Sequence, residues 1–186
     1  MPSFKRGCVF IKKTLPLVTM GLLIALTVAL TELSKFMPFS NVVRISFGFV
    51  AVAAAALLFG PLAGGIVAAL ADILSFFIFP TGAYLPLLTL SALLAGVIYG
   101  LVLYKRKPSI LRSAIAATLV CLLIDAGLNT IILYLFIPFF AIQGFQAFFI
   151  TRIIKSLVMI PVQTFIIYAL WQFFIKQKLF GKFLKS

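Results

Sequence analysis

The side chains able to do polar chemistry are few, and their positions carry most of the information. Three carboxylates occur, Glu32, Asp72 and Asp125, against 16 Lys and Arg and no His. Asp72, Asp125 and the amide Asn129 fall inside long apolar stretches. A charge at bilayer depth costs about 3 kcal/mol on insertion scales, so such groups face a bundle interior or a watery cavity. Asp72 stands roughly 10 Å from the nearer end of its apolar run, and Asp125 roughly 16 Å, at 1.5 Å of rise per residue. Asn129 lies one turn beyond Asp125 on the same helical face. Arg152 and Lys155 share a face near the start of the last apolar stretch, and Arg44 opens the second. These residues predict an outward-facing pocket with Arg44, Arg152 and Lys155 near its mouth and Asp72, Asp125 and Asn129 below. It would attract an anionic or zwitterionic small molecule rich in hydrogen-bonding groups. A purely structural reading needs no ligand: Asp72 or Asp125 pairs with Arg152 or Lys155 and holds helices together.

Two other segments have functional and plain readings. Phe79-Pro80-Thr81-Gly82-Ala83-Tyr84-Leu85-Pro86 combines an ordered turn with two flat rings. Phe79 and Tyr84 suit a lid that stacks on an aromatic ligand, or an interfacial anchor. Ala25 and Ala29, four residues apart, form a flat stripe that lets another helix approach closely. That helix belongs either to this chain or to a partner.

The elements that must position these groups follow from composition. Hydrophobic residues make up 64% of the 186 and charged residues 10%, with a mean hydropathy of +1.26. Soluble domains run at roughly 45–50% apolar and about 25% charged. The class is therefore an all-α integral membrane protein, read as one domain over residues 1–186. Six apolar stretches emerge, at about 15–37, 43–59, 62–79, 87–104, 110–136 and 148–175. Gly60-Pro61, Pro80 and Pro108 punctuate them. The basic N-terminal segment lacks a small-residue cleavage site after its apolar run, which predicts an uncleaved first helix. Lys and Arg cluster before the first stretch, between the fourth and fifth, and after the sixth. With six transmembrane helices those clusters share one side, and the positive-inside rule places both termini in the cytoplasm.

Composition also excludes. A net charge of +13 arises from blocks between spans and not from a basic stripe with interleaved aromatics, so nucleic acid is not the expected partner. No metal-ligand spacing, bound cofactor motif, Walker A sequence or nucleophile elbow appears. An enzyme acting on lipid through Asp72 or Asp125 would need paired carboxylates or a metal set, and neither is evident. A scaffold that only packs helices would show no saturable ligand binding.

Several segments resemble one family in order and spacing: Arg44-Ile45-Ser46-Phe47-Gly48-Phe49, Leu58-Phe59-Gly60-Pro61-Leu62, Ala71-Asp72-Ile73-Leu74, Phe79-Pro80-Thr81-Gly82-Ala83-Tyr84 and Thr89-Leu90-Ser91-Ala92. Asn129-Thr130 and Arg152-Ile153-Ile154-Lys155, followed by Met159-Ile160-Pro161-Val162-Gln163, extend the match. The pattern resembles the folate-type substrate-binding subunits (S components) of energy-coupling factor (ECF) vitamin transporters. That resemblance implies a six-helix bundle in a prokaryotic plasma membrane, binding folate, or alternatively pantothenate or another water-soluble vitamin, from outside. It further implies docking on a transmembrane coupling subunit driven by two ATPase subunits, then tilting in the lipid bilayer to release the vitamin inward. Ala25 and Ala29 match the docking stripe, and the first and third interhelical loops match the gates. Arg44, Asp72, Phe79, Tyr84, Asn129, Arg152 and Lys155 are the expected vitamin-binding residues.

Overall fold

Among apolar side chains surrounded by lipid, helices associate through close packing and not through a hydrophobic effect. The fold follows from where small residues permit that packing. A computed structural model describes residues 3–34, 47–80, 84–106, 109–136 and 145–176, and among these every regular element is helical. The helices are α1 (Ser3–Leu33), α2 (Phe49–Phe59), α3 (Pro61–Ile78), α4 (Pro86–Leu103), α5 (Ile110–Phe136) and α6 (Phe145–Lys176). Five of the six are long and apolar enough to cross a membrane, and α2 has 11 described residues. Many large apolar side chains are exposed on them, with Leu62 at 76% and Phe165 at 70%, as a lipid-facing surface requires. Glu32, Asp72, Asp125, Arg152 and Lys155 are all buried or half-buried.

Helix α2 carries the sequence Val-Ala-Val-Ala-Ala-Ala-Ala-Leu-Leu over residues 50–58, and Ala51 to Leu58 are buried. Its methyl-sized surface lets α1, α3, α4 and α6 all pack against it. The α2–α3 junction is a single residue. Gly60 adopts φ +97°, a left-handed conformation that favours glycine, and Pro61 then starts α3 where a missing N–H costs nothing. Helices α3 and α4 share the most extensive contact. A Cβ on Gly96 would fall on the Gly64 backbone, and one on Gly100 on Pro61. The glycines thus set how near these two axes lie. On the same side of the bundle Trp171, Tyr99, Leu57, Leu103 and Ile167 are at most 1% exposed and interlock α2, α4 and α6.

Two features depart from the expected elements. Helix α1 begins at Ser3 and continues through Pro16, well before the expected start near Leu15. The basic prefix is helical although it is not apolar. Helix α5 runs over the expected residues but is π-helical from Val120 to Leu128. Asn129 N–H there donates to Ile124 O, five residues back. Side chains anchor this wider turn: Ser156 Oγ donates to Cys121 O (3.1 Å) and Thr130 Oγ1 to Asp125 O (3.3 Å). The start of the second expected stretch, residues 43–46, lies outside the described residues.

Candidate functional site

All six helices open onto one cavity of about 400 Å³. It is lined by Thr27 and Thr31 of α1, Phe49 of α2, Asp72 and Ser75 of α3, Ser91 and Tyr99 of α4, Asp125 and Asn129 of α5, and Arg152, Lys155 and Gln163 of α6. Most of these residues lie in the half of their helix remote from the N-terminus of α1 and the C-terminus of α6, and Tyr99 and Gln163 mark the inner limit. The cavity therefore lies mainly in the half of the bundle opposite the chain ends.

Polar groups in its wall are tied across helices. Thr89 Oγ1 donates to Asp72 Oδ2 (2.7 Å), joining α4 to α3. Thr89 has one proton, so the 3.0 Å contact with Tyr84 is a bond donated by the phenol. Tyr84 also packs on Phe76, with ring centroids 5.0 Å apart and tilted by 48°. A ladder thus runs from an aromatic pair through two hydroxyls to a carboxylate. Ser75, three residues beyond Asp72, donates to Glu32 Oε1 and joins α3 to α1. Asn129 Nδ2 donates to Asp125 Oδ1 (3.3 Å) and Asn129 Oδ1 accepts from Ser91 Oγ. Lys155 and Arg152 both act electrostatically on Asp125. Tyr99 O–H donates to Gln163 Oε1 (2.8 Å) between α4 and α6, with both residues almost fully buried. Among the described residues, no buried side-chain nitrogen or oxygen lacks a hydrogen-bond partner.

Asp72, Asn129, Arg152 and Lys155, expected to meet, do line one cavity, and Asp125 joins them. Tyr84 reaches the site through Thr89 and is 40% exposed at its edge. Phe79 is 46% exposed beyond the end of α3, and the ring that meets Tyr84 is Phe76. Phe79 and Tyr84 are the expected ligand-stacking rings, and Phe76 is not among them. The reason Phe76 meets Tyr84 is helical register: Phe76 still belongs to α3, whereas Phe79 has left helical geometry at φ −130°, ψ 74°. Arg44 lies outside the described residues, as do Thr81, Gly82 and Ala83 of the third connection. Ala25 and Ala29 are exposed on α1, while Thr27 is buried. One helix thus presents hydroxyls to the cavity and methyls to the outside.

Sequence reasoning did not find Thr27, Thr31, Ser75 or the Tyr99–Gln163 pair, and it counted Glu32 without placing it. Thr27 and Thr31 are one turn apart, and Ser75 follows Asp72 at i+3, so a helical-face analysis could have found those three. Tyr99 and Gln163 are 64 positions apart, and no local signal joins them.

Comparison with known proteins gives the same picture. A family model described as "ECF transporter, substrate-specific component" matches residues 15–171. The chain is 34% identical over 174 residues to a protein named folate transporter FolT from Clostridium novyi, covering 94% of this chain and 98% of that one. It is 34% identical over 173 residues to a folate transporter FolT from Leuconostoc mesenteroides, covering 91% and 92%. Among solved structures, FolT bound with folic acid matches with a TM-score of 0.75 and 33% identity, covering 84% of this chain and 92% of that chain. A family match over more than four-fifths of the residues, on a lipid-faced bundle that encloses a polar chamber, makes this chain a member of the substrate-specific components of ECF transporters.

Proposed function

We propose that the chain is the folate-binding subunit of an ECF uptake transporter, acting as one domain over residues 1–186. The observation that carries this reading is the content of the cavity. Two cations, an amide and two carboxylates line a chamber of about 400 Å³, within the roughly 300–1,000 Å³ of small-molecule sites, and a hydroxyl–aromatic ladder backs Asp72 from behind its wall. Folate needs those chemistries together. Its pterin ring offers N–H donors that Asp72 accepts, with Asn129 reading a neighbouring edge. Its flat rings pack on aromatics near the mouth, where Tyr84 and Phe79 serve. Its glutamate carboxylates are met by Arg152 and Lys155, with Arg44 joining them, because charge-assisted hydrogen bonds to carboxylates are the strong ones. The folate transporters related to this chain and the folic-acid-bound neighbour support that ligand over pantothenate.

The charge pattern supports cytoplasmic termini, which turn the chamber outward. The exposed Ala25–Ala29 face of α1 suits docking on a transmembrane coupling subunit, since small residues permit close helix approach. Two partner ATPases supply the energy, and the bundle tilts in the bilayer to release folate inward.

Binding and docking are separable in this reading. Ala25→Trp and Ala29→Trp should leave folate binding by the purified chain within about twofold and abolish uptake by cells carrying the whole transporter. A vitamin panel in a thermal-shift assay should raise the melting temperature with folate and not with pantothenate. Loss of binding in the tryptophan variants, or stabilisation by pantothenate alone, would overturn the assignment.

A further inference from the structure

Folate and its relatives differ at the ring edge by single donor–acceptor exchanges, so a site must fix the direction of its own amides to tell them apart. An asparagine amide is nearly symmetric in shape and reads either polarity unless something holds it. In this cavity Asn129 is held from both sides. Its Nδ2 donates to Asp125 Oδ1 (3.3 Å), and its Oδ1 faces Ser91 Oγ, whose one proton is shared with the Leu88 carbonyl. In this geometry the NH₂ end of Asn129 faces Asp125 and its carbonyl end faces Ser91. These two bonds leave Asn129 one N–H and one lone pair at the cavity wall.

Asp125 is itself unusually well fixed. It lies in the π-helical stretch of α5, and such turns recur at functional sites. Its own carbonyl accepts from Thr130, and Ser156 of α6 holds the carbonyl of Cys121 one turn earlier. Thr130 and Ser156 are 0% and 3% exposed. Lys155 and Arg152 of α6 line the same cavity as Asp125.

We propose that Asp125 is a positioning residue that sets ligand specificity by locking the orientation of the Asn129 amide, so that the site reads one donor–acceptor polarity of the ligand ring and rejects its reverse. The inference rests on the proposed folate function. Asp125 need not touch the vitamin. It acts through Asn129, with Ser91 as the second half of the clamp.

Two affinity ratios, measured on the full chain in detergent, test this. The ring ratio compares folate with its 4-amino analogue, in which an acceptor at the ring edge becomes a donor. The tail ratio compares folate with pteroate, which lacks the glutamate carboxylates. Asp125→Leu should bring the ring ratio toward unity by about tenfold, the worth of one well-placed hydrogen bond, with the tail ratio unchanged within about twofold. Ser91→Ala should move the ring ratio the same way by a smaller factor, and it removes only a hydroxyl should Asp125→Leu fail to fold. An unmoved ring ratio in both variants would overturn the proposal. That holds if all affinities and the melting temperature fall together, as for a merely structural role. It also holds if only the tail ratio moves, as for a counter-charge to Lys155 and Arg152. Wild-type protein that binds neither pterin would count against the folate assignment and the clamp together, whereas wild-type binding with an unmoved ratio counts against the clamp alone.

Discussion

The two halves of the bundle are built from different chemistry. Towards the chain ends, α2, α3, α4 and α6 meet through glycine, alanine and fully buried Trp171, Leu103 and Ile167. Away from them, the same helices part around a chamber lined by Asp72, Asp125, Asn129, Arg152 and Lys155. The dry half fixes the helix axes through contacts that tolerate no added carbon. The wet half then carries polar groups on a frame already set, and Asp72, Ser75 and Asn129 are partnered across helix boundaries. Substitutions in the first half should therefore act on stability, and those in the second on ligand affinity.

The largest effect should come from Gly96→Leu. A side chain there must displace the Gly64 backbone, and overpacking of this kind costs about 3 kcal/mol or more. Detergent-extracted protein should lose its monodisperse peak in size exclusion. Trp171→Ala removes the largest fully buried side chain and should cost about 3 kcal/mol. That loss would be seen as a lower melting temperature with folate affinity retained in the folded fraction. Across the comparison, Arg152→Ala should weaken folate by ten- to a hundredfold, as expected when a charge-assisted bond worth about 1.5–3 kcal/mol is lost, while the melting temperature of the free protein stays nearly constant. Tyr84→Phe should have the smallest effect. It deletes only the phenol bond to Thr89, about 1 kcal/mol, and should weaken folate about fivefold by equilibrium binding. A stability effect from Arg152→Ala as large as that from Trp171→Ala would erase the distinction between the halves.

The sequence was legible where the physics is local. Apolar run length gave the spans, and Gly60-Pro61 and Pro80 gave the boundaries of α3 to within a residue or two, because proline and glycine act on their own backbone. Intramembrane charge gave Asp72, Asp125, Arg152 and Lys155 as inward-facing, since lipid leaves them no other place. The helical prefix of α1 was not legible, because hydropathy registers apolar content and the residues before Leu15 are basic. The π-helical turn in α5 was hidden for another reason. It is braced by Ser156, a residue of a different helix, through a bond to the Cys121 carbonyl. The Tyr99–Gln163 bond and the Ser75–Glu32 bond likewise arise only once α3, α4 and α6 are placed against their neighbours. Neutral hydroxyls and amides such as Thr27, Ser75 and Gln163 are also cheap enough in a helix that their presence alone announces nothing.

The most direct test is equilibrium binding of folate to the purified chain in detergent, without ATP and without any other subunit, comparing wild type with the Asp72→Leu/Arg152→Ala double variant. The wild type should bind saturably and one-to-one, and the double variant should lose binding while still melting cooperatively. Equal binding by both proteins, or no saturable binding by the wild type, would contradict it.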